Sequence, residues 1–260
     1  MMEGLGVLGI ALKANGYTEI KLQGTGSNLS FTKEAEASLR KGPGEKRFIL
    51  FTGDGTIEDR KVLLNIFNAR FDKLPEKIQS VFLKPPKPAV VSNPEEEKKS
   101  EAKEESKYLY NDNNKGEICW VIGITGAGAE GISLRSCRSV HIMEPYWNTV
   151  RLDQVKGRAI RICSHEDLPY DERTVDIYTY ITVFSKRHLD NPESIDRRIR
   201  DSDKGDKIGE VLTSDQRVAK ISKRKDAINN TLLNLMKEVA IDCDSTYLIM
   251  EIFVVFIMKP

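Results

Sequence analysis

Short apolar runs without polar alternation recur along this chain, and they limit its fold more than any other feature. Phe48-Ile49-Leu50-Phe51 is one, introduced by the turn signal Gly42-Pro43-Gly44. Ile118 to Thr125, Val140 to Met143 and Val175 to Phe184 are further strand candidates. The run from Phe48 to Phe51 reads as a strand buried in a parallel sheet. Helical signals lie between these candidates. Leu5 to Ala14 closes on the C-cap signal Asn15-Gly16, before a short strand candidate, Tyr17 to Leu22. Thr56 and Asp59 form a capping box for a helix whose apolar stripe reads Ile57, Leu64, Phe67 and Phe71. Strands and helices in alternation predict an α/β fold, a parallel sheet with helices on both faces.

The 260 residues suffice for one large domain, or for a domain with an appendage. With 40 Lys+Arg against 39 Asp+Glu, the formal charge is +1, so any affinity for nucleic acid rests on local patches. There is no basic region leading into a long apolar run at the start. Ile252 to Met258 is far short of the roughly 20 residues that span a bilayer, so a soluble, intracellular protein is expected. Cys119, Cys137, Cys163 and Cys243 are widely spaced, with no C-x-x-C pair to suggest a disulfide framework or a metal site. Residues 84–115, rich in proline, then in Glu and Lys, then in Asn, read as an exposed insertion. The alternating region is taken as residues 1–190. Residues 191–260 are read as a mainly helical extension, opened by a second capping box, Thr213 and Gln216, with Val218, Ile221, Ile228, Leu232, Leu235 and Val239 at helical spacing.

A glycine-rich loop, Thr125-Gly126-Ala127-Gly128-Ala129-Glu130-Gly131-Ile132-Ser133-Leu134, follows an apolar strand candidate, where α/β proteins place phosphate-binding turns. Gly126, Gly128 and Gly131 spell G-x-G-x-x-G, and Glu144 lies 144 − 126 = 18 positions on, so a dinucleotide site is one reading. Only Ile132 to Ser139 separate the loop from the next strand, too little for the helix that fingerprint normally opens. A turn without a ligand is another reading. No G-x-x-x-x-G-K-[ST] occurs in the chain.

Asn148 is placed to cap a helix running to Ile162. Leu152, Val155, Ala159 and Ile162 would form its core stripe, with Gln154, Arg158 and Arg161 roughly 115° away on a separate face. Gly157 inside a helix costs about 1 kcal/mol relative to alanine and suggests close approach of a backbone or a ligand. Two guanidiniums one turn apart beside an amide suit the stabilisation of charge on a transferring phosphoryl group. An ordinary surface helix with salt bridges is the competing reading.

Gln154-Val-Lys-Gly157-Arg158-Ala-Ile-Arg161 resembles motif VI of superfamily 2 helicases, and Thr125 to Leu134 resembles their motif V. Phe51-Thr-Gly-Asp-Gly-Thr-Ile-Glu-Asp-Arg60, continuing through Asn68, is similar to an earlier segment of the same lobe in Swi/Snf-type translocases. Glu144-Pro-Tyr-Trp147-Asn148 is similar to their D-P-x-W-N. The order matches the second RecA-like lobe, and the nearest likeness is to the Swi/Snf-like helicases of large nucleocytoplasmic DNA viruses. Ala129-Glu130 stands where Gly-Leu is usual, and motifs I and II of the first lobe do not occur.

The resemblance implies ATP bound between two lobes, with magnesium held by the first. Arg161 and Arg158 would then face the γ-phosphate, Arg161 as the finger, and Gln154 would couple nucleotide to lobe closure. Gly128, Glu130, Gly131 and Gly157 would line the nucleotide, and Thr125, Gly126, Trp147 and Asn148 would meet nucleic acid. DNA is the implied strand, with RNA the alternative, and the missing first lobe is the implied partner, in cis or in trans. No metal ligands are expected in this chain and no membrane partner. A viral origin would place it in the virion or the host cytoplasm. Arg217, Lys220, Lys223 and Arg224 could add phosphate contacts or form a solvated face. The alternative from another class is a non-catalytic module that binds a partner or nucleic acid and hydrolyses nothing.

Overall fold

The computed structural model describes residues 4–53, 55–84, 107–126, 131–190 and 212–239. Internal contacts divide the chain into two compact units, residues 1–139 with 157–176 and residues 140–156 with 177–260.

The first unit opens with α1 (Leu5–Ala14), which ends where expected: Asn15 caps it, and Gly16 takes φ +81°, a left-handed conformation that costs glycine little. The short strands β1 (Thr18–Glu19), β2 (Leu22–Gln23) and β3 (Ser30–Phe31) follow, β2 and β3 pairing antiparallel. Next come α2 (Lys33–Arg40), β4 (Arg47–Phe51), α3 (Ile57–Phe67), α4 (Glu76–Gln79) and β5 (Val121–Ile124). The sheet runs β1-β4-β5 with both pairs parallel, Thr18 opposite Arg47 and Phe48 opposite Val121. This is the α/β architecture with a parallel sheet that the alternation predicts.

Both capping boxes are present, Thr56 with Asp59 at the start of α3 and Thr213 with Gln216 further on. The stripe of α3 needs correction. Ile57, in the first turn, is 65% exposed, and the buried side chains are Val62, Ile66 and Phe67. Ile57 lies about 140° around the helix from Val62, on the solvent side.

A second correction concerns residues 84–115. Within that stretch 85–106 lie outside the described residues, but Tyr110 belongs to the core and Tyr108 and Leu109 pack against it, while Lys107, Asn111 and Lys115 are exposed. Tyr108 bridges antiparallel to Leu83, and Tyr110 is buried with its hydroxyl donating to Leu39 C=O at 2.6 Å. Asn113 accepts from the N–H groups of Ile118 and Cys119 through one oxygen and donates to Phe67 C=O. One side-chain amide thus joins the end of α3 to the approach to β5.

The second unit contains most of β6 (Ser139–Ile142), of α5 (Thr149–Ala159) and of β7 (Asp176–Thr179), then α6 (Lys186–Asp190) and α7 (Ser214–Glu238). β6 pairs with β7, and His141 stacks on Tyr178 with ring centres 5.0 Å apart. Thr213 donates to Thr182 C=O, Asp215 accepts from Thr182 N–H, and Asp226 accepts from the Thr149 hydroxyl. These bonds group α7 with 140–156 and 177–190, a division different from the expected boundary at residue 190. The face of α7 turned inward carries Ser222 and Asp226. The predicted apolar stripe is on another face, with Ile228 61% and Leu232 56% exposed. Residues 191–211 and 240–260 of the expected extension lie outside the described residues.

Candidate functional site

β5 delivers the chain to Thr125, whose N–H continues the sheet pattern by donating to Phe51 C=O at 3.2 Å. Its side-chain oxygen is buried and has no hydrogen-bond partner among the described residues. A buried hydroxyl without a partner is costly in a finished site, which makes this one suited to an incoming acceptor or donor. Gly126 is exposed. Gly128 and Glu130 lie outside the described residues. Gly131 takes φ +73°, and a Cβ there would meet nothing.

Beyond the loop, Ile132 and Leu134 are buried and anchor its return. Between and after them, Asn68 clamps the backbone: its amide nitrogen donates to Ser133 C=O at 2.9 Å and its oxygen accepts Arg135 N–H at 3.0 Å. Asn68 ends the segment already noted for its similarity to translocases, yet its own role escaped the sequence reading. Contacts between residues 65 to 67 positions apart leave no local pattern to read.

The arginine helix forms, but shorter than expected. Asn148 accepts from Arg151 N–H at 3.2 Å, as an N-cap does, and α5 stops at Ala159. The proposed core stripe is therefore corrected. Ala159 is buried and Leu152 half-buried, whereas Val155 is 36% exposed and Ile162, beyond the helix end, is 97% exposed. The chain leaves the helical path because Ser164 captures Arg161 N–H at 3.2 Å and Cys163 turns left-handed at φ +61°. A Cβ added at Gly157 would find open space among the described residues. Close approach of a neighbouring backbone is thus not its reason among the described residues.

In the first unit, Arg158 and Arg161 are joined to the return of the glycine loop. Leu134 N–H donates to Arg158 C=O at 3.1 Å, and the Arg161 guanidinium donates to the Ser133 hydroxyl. Neither arginine has an acidic partner among the described residues. Nearby arginines do: Arg135 pairs with Glu166 at 2.7 Å and Asp167 at 3.0 Å, and Arg138 with Glu172. Within α5 the ion pair is Lys156 with Asp153. Among the described residues Arg158 and Arg161 thus make no salt bridge. Gln154 is exposed on the same helix, in the part that belongs to the second unit.

Also in the second unit, Trp147 is 55% exposed with Lys225 Nζ 4.2 Å from its ring centre. Arg151 covers the Tyr146 ring and donates to its hydroxyl at 2.9 Å. Hydrogen bonds from Trp147 and Arg151 hold the Tyr146 phenol below its usual pKa. Glu144 is exposed. Among the described residues no group of three or more His, Cys, Asp or Glu side chains could hold a metal ion. The arrangement suits phosphate oxygens, which guanidiniums, hydroxyls and backbone N–H groups bind.

A parallel sheet leads into the glycine loop, and the Arg158 carbonyl and the Arg161 side chain are bonded to that loop's return, in an α/β lobe. Residues 97–163, about a quarter of the chain, match the helicase conserved C-terminal domain, and this part of the chain resembles a C-terminal helicase lobe. Several relatives are viral proteins. Over 140 residues, 53% of this chain and 15% of the relative, it is 39% identical to a protein of Acanthamoeba polyphaga mimivirus named as an ATP-dependent RNA helicase. A termination factor NPH-I homolog of African swine fever virus is 36% identical over 132 residues, 50% of this chain and 17% of that protein. Nucleoside triphosphatase I of Heliothis armigera entomopoxvirus is 36% identical over 109 residues, 41% of this chain and 16% of that protein. The chain thus aligns with about a sixth of the length of each relative. No helix among the described residues is long and apolar enough to cross a membrane.

Proposed function

We propose that this lobe is the second half of an ATP-dependent superfamily 2, Swi/Snf-like translocase acting on DNA, and that Arg161, with Arg158, is its arginine finger. The observation that carries the reading is a pair of arginines without acidic partners among the described residues, tied to the return of the glycine loop by the Arg161 guanidinium on Ser133 and by the Arg158 backbone carbonyl on Leu134 N–H. Fingers must stay free of carboxylates until a phosphoryl group arrives, and a planar, always-charged fork is the group for that task.

Bound ATP and its magnesium, held chiefly by a first lobe, would supply the transferring phosphoryl group. This chain's residues do the rest. Arg161 and Arg158 present their forks to that group, with Gly131 and Gly157 leaving room at its edge, and Gln154 links nucleotide to lobe closure. Gly128 and Glu130 belong to the same loop. Thr125 and Gly126 offer hydroxyl and N–H donors to a strand's phosphates, contacts that position without reading sequence. Trp147 and Asn148 sit where the translocase-like D-P-x-W-N segment would meet the strand. That likeness favours DNA, while the mimivirus relative's name speaks of RNA. A virus-infected cytoplasm or a virion is the corresponding location.

The test joins this chain to the first lobe of the mimivirus relative, in cis or in trans, and measures ATP turnover with single-stranded DNA, duplex DNA or RNA. Stimulation by DNA at wild-type Arg161, falling roughly 10³-fold or more in Arg161→Ala with unchanged melting temperature, is the expected result. Stimulation by RNA alone would move the substrate to RNA. Full turnover by Arg161→Ala would leave the non-catalytic reading in its place.

A further inference from the structure

Past the end of α5, the first unit contains a buried polar relay that neither the helicase domain match nor the relatives' names account for. Ser164 and His165 are both buried. His165 Nε2 lies 2.7 Å from Cys137 C=O, which can only accept, so this nitrogen carries a proton. The other ring nitrogen, Nδ1, lies 2.7 Å from Ser164 Oγ. That oxygen accepts Arg161 N–H at 3.2 Å, and its single proton is shared between Nδ1 and Ala159 C=O, the latter 3.1 Å away. The backbone is closed on both sides, Ser164 N–H to Arg161 C=O at 3.0 Å and Ser136 N–H to Ser164 C=O at 2.9 Å.

We infer that Ser164 and His165 are positioning residues for Arg161: the imidazole, pinned to Cys137, sets the Ser164 hydroxyl, and the hydroxyl fixes the backbone from which the Arg161 fork reaches Ser133. The inference rests on the reading of Arg161 as a finger, but its geometry does not. Arg161 sits outside the helical ladder, since α5 ends at Ala159, and its N–H is held by a side chain instead of an α-helical carbonyl. A finger mounted on a fraying helix end would wander, and a displacement near 1 Å from productive geometry costs about 10²-fold in rate. Burial of the relay keeps water from competing for the same donors.

Amide hydrogen exchange on the full chain tests the geometry without any nucleotide. The Arg161 amide is expected to be protected in the wild type and to exchange about 10- to 100-fold faster in Ser164→Ala. The Leu134 amide, bonded to Arg158 C=O, should keep its protection and report an intact fold. Ser164→Thr, which keeps the hydroxyl, should restore protection. His165→Gln, which keeps an N–H donor in the place of Nε2, should exchange more slowly than His165→Ala.

In the two-lobe assembly, Ser164→Ala should lower kcat about 10- to 100-fold with less than about 3-fold change in KM for ATP. It should have little further effect in an Arg161→Ala background, because both changes remove one unit of function. If Arg161→Ala abolishes turnover while folded Ser164→Ala and His165→Ala enzymes run at the wild-type rate, the positioning role is overturned. If Ser164→Ala slows an Arg161→Ala enzyme as much as the wild type, the relay does not act through Arg161. If Ser164→Ala does not fold, His165→Gln against His165→Ala decides: equal, wild-type exchange at Arg161 in both rejects the relay. Failure of Arg161→Ala to alter turnover would reject the finger itself and leave the exchange result standing.

Discussion

The guanidinium of Arg47 holds Ser38 twice, donating from Nε to its hydroxyl at 2.8 Å and from Nη2 to its carbonyl at 2.5 Å. The same fork reaches Gly42 C=O at 2.7 Å and Glu117 C=O at 3.2 Å, so one side chain ties α2 to the segments that lead into β4 and β5. It is fully buried, and desolvation draws its pKa below the ordinary arginine value. Arg47→Ala should destabilise the protein by about 3–5 kcal/mol, since it strands several buried carbonyls. Arg47→Lys should rescue little, because a single ammonium cannot reproduce the fork that serves the Ser38, Gly42 and Glu117 carbonyls at once. Ser38→Ala should cost only about 1 kcal/mol. Urea denaturation of the three variants checks the order, and a Lys variant as stable as wild type would contradict it.

Asn68 should be intolerant of its isostere. Its oxygen faces Arg135 N–H and its nitrogen faces Ser133 C=O, so the amide orientation is fixed by partners that can only donate or only accept. Asn68→Asp would set a carboxylate oxygen against the Ser133 carbonyl, and should be no more stable than Asn68→Ala, each losing about 1–3 kcal/mol. In the two-lobe assembly both should also slow ATP turnover, because the Ser133 backbone carries the hydroxyl that receives Arg161. Melting temperatures beside rates test this, and an Asp variant that matched wild type would refute the clamp.

The thiols should differ sharply in reactivity. Burial pushes Cys119 and Cys137 up to about 12, whereas Cys163 is exposed. At pH 8 a thiol of pKa 12 is about 10³-fold poorer in thiolate than an ordinary free cysteine. In a Cys243→Ser background, iodoacetamide should therefore modify Cys163 alone in the folded protein and all three cysteines after denaturation. Mass spectrometry of the labelled peptides reads the outcome. Prompt labelling of Cys119 in the native state would mean that the core around β5 opens readily.

Local signals made much of this legible. α1 with its Asn15-Gly16 end and both capping boxes are statements about adjacent residues, and the sequence carries them. Phe48 to Phe51 and Ile118 to Thr125 announced the parallel pair β4 and β5 by composition alone. What failed was non-local. Tyr110 and Asn113 sat in a stretch whose prolines and charges dominated the average, and their partners, Leu39 and Phe67, are 71 and 46 residues away. Ile162 continued a helical period that Ser164 ends by capturing Arg161 N–H, and no periodicity registers a captured amide. The motif residues were legible through resemblance. The residues that hold them in place, Asn68, Ser133, Ser164 and His165, were not, because their hydrogen bonds join segments that the chain order separates.

Alkaline pH should expose the role of Tyr110. Its hydroxyl donates to Leu39 C=O at 2.6 Å inside the core, and burial raises its pKa to about 12 from an ordinary 10. Below pH 10 the folded and unfolded chains both keep the proton, so stability does not depend on this group. Between pH 10 and 12 the unfolded chain releases the proton while the folded chain retains it, and stability falls by up to about 1.4 kcal/mol per pH unit. Cys119 and Cys137, raised from 9 to about 12, add their own decline beginning near pH 9. Tyr110→Phe should cost about 1 kcal/mol at pH 8, where the Leu39 carbonyl loses its donor. In return it should remove the Tyr110 share of the decline above pH 10 and leave the part that starts at pH 9. Urea unfolding of both proteins at pH 8, 9, 10 and 11 separates the contributions: the two stability curves should run parallel up to pH 10 and converge above it. Curves that stayed parallel through pH 11 would show that Tyr110 ionises in the folded protein as readily as in the unfolded chain.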